Sequence, residues 1–310
     1  MKMRIFVVLS LLSLNSFGQV GSRHATPVPL PVPGPLDPPE RLLVAIRHGL
    51  RDDDRFMQAF QRWFQNQEQP FEFRDQVPDL FQQYLNTYVA AEEQQLIHQM
   101  RRQFIERNGT PWYDPDLAES DPQTELHSTA SGLLTQNLTP DVIITSPNRR
   151  AIQSAQIIRA EIVRRTGNPV QILVDFRLQE WAYAAYGRYN EEIVEITREQ
   201  VQLGENMELL EHDLSIEQLR LENTGDPASE SRYYNRIAGV MEEHSRNYQR
   251  LYIVGHLHTV GAAILEYPFA NVISGGYALL TSSGEQRLNF KPEQSRGIKF
   301  HNETEPGAAQ

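Results

Sequence analysis

The sequence contains no cysteine. A disulfide framework, a cysteine nucleophile and a thiolate metal site are thereby excluded, whatever compartment the chain occupies. Positive charge is also scarce: 29 Lys and Arg stand against 40 Asp and Glu, for a net charge of −11. A general nucleic-acid or membrane-surface binder carries a basic footprint, so neither class fits, and an anionic ligand has to be gripped by a local cluster of cations. No internal repeat is visible, and long apolar runs are missing. The run Ile5 to Leu14 is too short to span a bilayer. With Lys2 and Arg4 at its start and Ser16-Phe17-Gly18 after it, residues 1–18 read as a secretory signal, with an uncleaved N-terminal anchor as the alternative. The first reading predicts a secreted or periplasmic protein that keeps no membrane span after cleavage.

Residues 19–40 are a proline-rich leader, stiff and extended, which serves as a spacer. At 310 residues the chain is long enough to bury a substantial core. That core begins at Leu42-Leu43-Val44-Ala45-Ile46, an uninterrupted apolar run of the kind that forms a strand buried on both faces of a parallel sheet. Similar short runs recur at Asp141 to Thr145, Val170 to Val174 and Leu251 to Val254, and helical periodicity separates them (Ala151, Ala155, Ile158, Ile162; then Ser229 to Tyr248). Ala278 to Thr281 and Gln286 to Phe290 read as a closing hairpin. The pattern predicts a three-layer α/β/α domain over 41–300 with a mostly parallel central sheet. Helical cap insertions are expected at about 52–113, where Leu80 to Ile105 keep helical spacing up to the stop at Asn108-Gly109, and at about 188–223. A polar tail, 301–310, completes the chain.

Open α/β sheets place their ligands at the carboxyl ends of the strands. The segments that follow these strands carry Arg47 and His48, Arg150, Glu180 and His256. Two Arg, two His and one carboxylate are the parts that metal-free phosphoryl transfer needs. The guanidiniums fork onto phosphoryl oxygens, an imidazole attacks phosphorus, and a carboxylic acid protonates the departing oxygen.

In the order and spacing of these blocks the chain resembles the histidine phosphatase superfamily, the phosphoglycerate mutase and acid phosphatase clan. Arg47-His48-Gly49 resembles its signature. Ser146-Pro147-Asn148-Arg149-Arg150-Ala151-Ile152-Gln153-Ser154-Ala155 is similar to its Ser-Pro-x-x-Arg-Ala-x-Gln-Thr-Ala block, which aligns Arg150, not Arg149, with the phosphate ligand. Leu178-Gln179-Glu180-Trp181 resembles its Leu-x-Glu segment and Val254-Gly255-His256 its Val-Ser-His strand end. Asp114-Pro115-Asp116-Leu117 looks like the stretch before its second strand, and Glu230-Ser231 with Arg236 like its Glu-Ser helix start.

The resemblance implies a phosphomonoesterase in which His48 becomes a transient phosphohistidine. Arg47, Arg150 and His256 would hold the phosphate, and Glu180 would serve as acid and then as base, with Asp52, Asp53 and Asp54 as substitutes for it. Arg51 resembles the extra Arg of members reading Arg-His-Gly-x-Arg, and either touches the phosphate or pairs with the neighbouring Asp run. A small phosphorylated substrate is the implied partner, with no nucleic acid, no cofactor and no metal. The pair His256 and His258 has no motif-linked third ligand. Two alternatives stay open on these residues, a phosphomutase and an inactive relative that binds a phosphorylated ligand. Two departures from the family pattern stand out: Leu257-His258 where relatives often have Gly, and the long segment between Arg51 and Tyr113.

Overall fold

The computed structural model describes residues 41–52, 90–107, 109–111, 113–118, 122–180, 196–224, 227–264, 274–281 and 286–288. The expected signal, leader and tail, and the helical pattern at 80–89, lie outside these residues.

Among the described residues seven strands form one sheet: β1 (Leu42–Arg47), β2 (Val142–Thr145), β3 (Gln171–Val174), β4 (Met207–Leu209), β5 (Arg250–Gly255), β6 (Tyr277–Thr281) and β7 (Gln286–Leu288). Their order is β4-β3-β2-β5-β1-β6-β7. The pairs from β4 through to β1 are parallel, and the hairpin β6-β7 closes the other edge antiparallel. Among the described residues the α-helices are α1 (Ala90–Arg107), α2 (Pro122–Thr135), α3 (Arg149–Thr166), α4 (Ile216–Glu222), α5 (Pro227–Asn247) and α6 (Leu257–Ile264).

Alternation along the central strands sorts their side chains into two cores. Leu43 and Ala45 of β1 join Leu251 and Ile253 of β5 beneath Tyr233, Ile237 and Met241 of α5 and Val260 and Ala263 of α6. Leu42, Val44 and Ile46 join Tyr252 and Val254 against Leu126 and Leu133 of α2 and Ile158 and Ile162 of α3. Helices therefore cover both faces, and the domain has the three expected layers. Each fully buried aliphatic side chain contributes about 1.5–3 kcal/mol of transfer free energy, so β1, apolar on both sides, is the strand around which the two cores are assembled.

The chain leaves the sheet after β1 for the first insertion and returns beside its point of departure. Arg51 bridges antiparallel to Leu117, Asp52 N donates to Asp116 O at 3.1 Å, and Ala118 N donates to Leu50 O at 3.0 Å. Within it α1 is helical as expected, and ends before Gly109, whose φ of +78° is left-handed backbone that glycine adopts at low cost. The second insertion corrects the sequence reading. Of 188–223, the described part is not a helical cap: Met207–Leu209 is strand β4, parallel to β3 at the sheet edge, and only Arg198–Gln200 and α4 are helical. Three residues flanked by turns carry too little period-2 signal to be read in a single sequence. Tertiary pairing with β3 makes them a strand.

Candidate active site

β1 and β5 lie side by side with Arg47 opposite Gly255, so the residues after each strand, His48 and His256, leave the sheet together. His48 N donates to Gly255 O at 2.8 Å, and the two imidazoles meet edge to face with centroids 5.4 Å apart. Both are buried. Glycine at 255 is a steric requirement. A Cβ there would stand 2.5 Å from Thr259 Oγ1, the hydroxyl that accepts the His256 backbone N–H at 3.0 Å.

β2 runs into Ser146-Pro147-Asn148 and then directly into α3, which places Arg150 in the helix's first turn, 1 % exposed. The Asn148 side chain makes no cap to that helix. Asp114 does so from outside, accepting Arg149 N–H on both oxygens at 3.0 Å, where the helix dipole favours a carboxylate. From β3 the chain passes through Asp175 and the turn Phe176–Leu178 to bring buried Glu180 to the same place.

The polar atoms form a closed circuit. Arg150 gives Nη1 to Asp114 at 3.1 Å and Nη2 to Glu180, and Nη2 also lies 3.5 Å from His256 Nδ1. Because the guanidinium only donates, His256 Nδ1 carries the lone pair and Nε2 the proton. Nε2–H therefore donates to Ser146 Oγ at 2.9 Å, and the Ser146 hydroxyl donates a hydrogen bond to Asn148 Oδ1 at 2.9 Å. Asn148 Nδ2 donates on to Asp114 at 3.2 Å, and Glu180 N–H donates to Asn148 Oδ1 at 3.2 Å. His48 is assigned in the same way. Its Nδ1 lies 2.6 Å from Gly49 O, which can only accept, so Nδ1 is protonated and Nε2 is left with the lone pair. Gly49 N–H in turn donates to Ser154 Oγ at 3.0 Å, and Ser154 donates to Arg150 O at 2.7 Å, tying the Arg-His-Gly turn to α3.

Burial, then the charges of Arg150, His256, Arg47 and Arg51, hold the His48 pKa well below the ordinary histidine value. Burial does the same to His256, with Glu180 opposing and Arg150 adding. Both rings are neutral at neutral pH. Burial alone would raise the Glu180 carboxyl, but Arg150 beside it, with His256 and Arg51, holds it well below the usual carboxylate range. Asp114 goes the other way: burial pushes it up to about 6 against the Arg150 charge and its hydrogen bonds from Arg149 and Asn148. Burial pushes His258 down to about 4, with Arg47 adding and Glu180 opposing. Its ring packs edge to face on Tyr233, 6.1 Å between centroids.

Of the residues singled out from sequence, His48, Arg150, Glu180 and His256 converge in these contacts, and Arg47 and Arg51 reach them electrostatically. Arg149 turns away to the surface, where it forks onto Asp116 at 2.7 and 2.9 Å. Asp52 is engaged through its backbone at the base of the first insertion, and Asp53 and Asp54 lie outside the described residues. Sequence reasoning did not assign chemistry to Ser146, Asn148 or Asp114. The Ser-x-Asn spacing ahead of Arg150 was the available signal.

A family profile described as the histidine phosphatase superfamily (branch 1) matches residues 110–271. The chain belongs to this superfamily. Arg150, Glu180 and His256 fall within the matched stretch, and the Arg47-His48-Gly49 turn precedes it. No curated protein matches the sequence. Among solved structures, a mycobacterial glucosyl-3-phosphoglycerate phosphatase is 16 % identical over 80 % of this chain and 97 % of its own, with a TM-score of 0.35. The ecdysone phosphate phosphatase of Bombix mori, solved with tungstate, is 13 % identical over 84 % and 98 %, with a TM-score of 0.43. A mycobacterial hydrolase is 17 % identical over 80 % and 96 %, with a TM-score of 0.36.

Proposed function

We propose that this histidine phosphatase superfamily member is a phosphomonoesterase that works through a phosphohistidine on His48. One observation carries the reading. Two buried, neutral imidazoles stand 5.4 Å apart beside Arg150, and His48 keeps its Nε2 lone pair because Nδ1 is committed to Gly49 O. A neutral ring with a fixed free nitrogen is what nucleophilic attack on phosphorus requires.

In the proposed reaction, Arg150, Arg47 and Arg51 hold the phosphoryl oxygens of a small phosphorylated substrate, and His256 joins them once the charge of the incoming phosphate raises its pKa and places a proton on Nδ1. His48 Nε2 attacks phosphorus, the bond to the leaving oxygen breaks, and that oxygen takes a proton from Glu180. Water then gives a proton back to Glu180 while its oxygen attacks the phosphohistidine, which releases phosphate and restores His48. Glu180 starts ionised because Arg150 holds it so. An arriving phosphate competes for that guanidinium and adds a like charge, and both effects raise the Glu180 pKa toward the protonated form that the first step uses. The apolar run and flanks at residues 1–18 support export, so the proposed site of action is outside the cytoplasm, secreted or periplasmic.

Hydrolysis of para-nitrophenyl phosphate in the presence of chelator tests the reading. Wild type is expected to turn over and to show an acid-labile, alkali-stable phosphoenzyme on rapid quench, and His48→Ala to show neither. Equal hydrolysis by the two proteins would overturn it.

A further inference from the structure

Arg236 belongs to the Glu-Ser helix block of the sequence, and the chemistry above leaves it without a task. Its guanidinium lies on α5, almost fully buried, and forks onto Glu222 of α4 at 2.7 and 2.6 Å. The same group donates to two backbone carbonyls on the segment between β3 and Glu180: to Arg177 O, and at 3.4 Å to Gln179 O, one residue before Glu180. It also lies over the Tyr233 ring, 5.0 Å from the centroid. One turn pair further along α5, His244 Nε2 holds Asp175 Oδ2 at 2.8 Å, at the start of that segment. Asp175 in turn accepts Arg177 N–H at 2.9 Å. The segment that carries Glu180 is thus pinned to α5 near both ends, by Arg236 bound to backbone carbonyls and by His244 bound to the buried Asp175 carboxylate.

A buried ion pair is costly to desolvate and yields less stability than apolar residues of the same volume. Glu222 neutralises and orients a cation whose remaining donors all face the strand-to-acid segment. We propose that Arg236, oriented by Glu222, is a positioning residue for the general acid, fixing where Glu180 sits relative to the leaving oxygen. The inference rests on the role given to Glu180 above.

The test uses leaving groups that need an acid to different degrees. Para-nitrophenolate departs well without a proton, whereas the alkoxide of glycerol 2-phosphate does not. General acid catalysis is worth on the order of a hundredfold or more, so Arg236→Lys, which keeps the charge but cannot reach Glu222 and two carbonyls at once, is expected to lose at least about tenfold more kcat/KM, which reports the steps up to departure of the leaving group and not the shared hydrolysis of the phosphohistidine, on glycerol 2-phosphate than on para-nitrophenyl phosphate. Glu222→Gln should show the same split at smaller amplitude. In a Glu180→Gln background, Arg236→Lys should cost nothing further on the alkyl substrate, because the group it positions is gone. Equal losses on the two substrates, an unchanged cost in the Glu180→Gln background, or loss of the fold in both variants each overturn the proposal, the last because the pair would then support helix packing and not the acid. Failure of the functional reading looks different: wild type itself would hydrolyse neither substrate.

Discussion

Adjacent arginines with opposite surroundings show how much one position decides. Arg150 is buried between Asp114 and Glu180 at the histidine pair, whereas Arg149 lies on the surface against Asp116. Arg150→Ala removes a fixed cation from the proposed phosphate site, and the loss of one such donor costs about 3 kcal/mol of transition-state stabilisation, a hundredfold or more in rate. Arg149→Ala should cost no more than a few fold, measured as kcat/KM on an aryl phosphate. The protonation state of His48 gives a second expectation. Its attack needs the neutral ring, and burial and the nearby cations depress its pKa. Activity is therefore lost on the acid side only when the pH falls through that depressed value. The acid limb of kcat/KM, which reports the free enzyme, should lie below the ordinary histidine value of about 6.5. A limb at or above that value would contradict the surroundings described for His48.

At the scale of single elements, the site depends on how β5 hands over to α6. Gly255 ends the strand, and Thr259, one turn into the helix, closes back on the His256 N–H across the space that a side chain at 255 would fill. Gly255→Ala forces a Cβ against Thr259 in a packed interior, a clash worth about 1–3 kcal/mol, and it displaces the backbone that carries His256. The expected result is a lowered urea midpoint together with a larger fractional loss of activity than of folded protein. Replacing Thr259 by Ala in the same chain should recover part of the stability. The handover from β2 to α3 follows the same logic with a different device. Asp114, far earlier in the chain, caps the helix whose first turn bears Arg150, so the first insertion has to return correctly before the arginine is held.

For the molecule as a whole, the decisive feature is a sheet covered on both faces. Leu42 and Leu43 are neighbours in β1, yet they enter different cores, one against α2 and α3 and the other facing α5 and α6. Each replacement by Ala is expected to cost about 2–5 kcal/mol in urea unfolding; a strand with one solvated face would show that cost at only one of the two. This much was legible from residues alone: an apolar run with no polar alternation requires burial on both sides, and repeated runs separated by helical periodicity require parallel pairing with helices above and below. The segments that follow the strands were legible for the same reason, since reactive side chains just past a buried strand have few other places to be. The sequence could not reveal that β5 inserts between β1 and β2, which sets His48 against His256, because strand order is chosen by packing between segments some two hundred residues apart. Nor could it reveal that Met207–Leu209 joins the sheet, that Asp114 and Asn148 complete the polar circuit, or that Arg236 reaches the Glu180 segment. Those contacts draw their energy from partners remote in the chain, and only the folded arrangement brings such partners within hydrogen-bond distance.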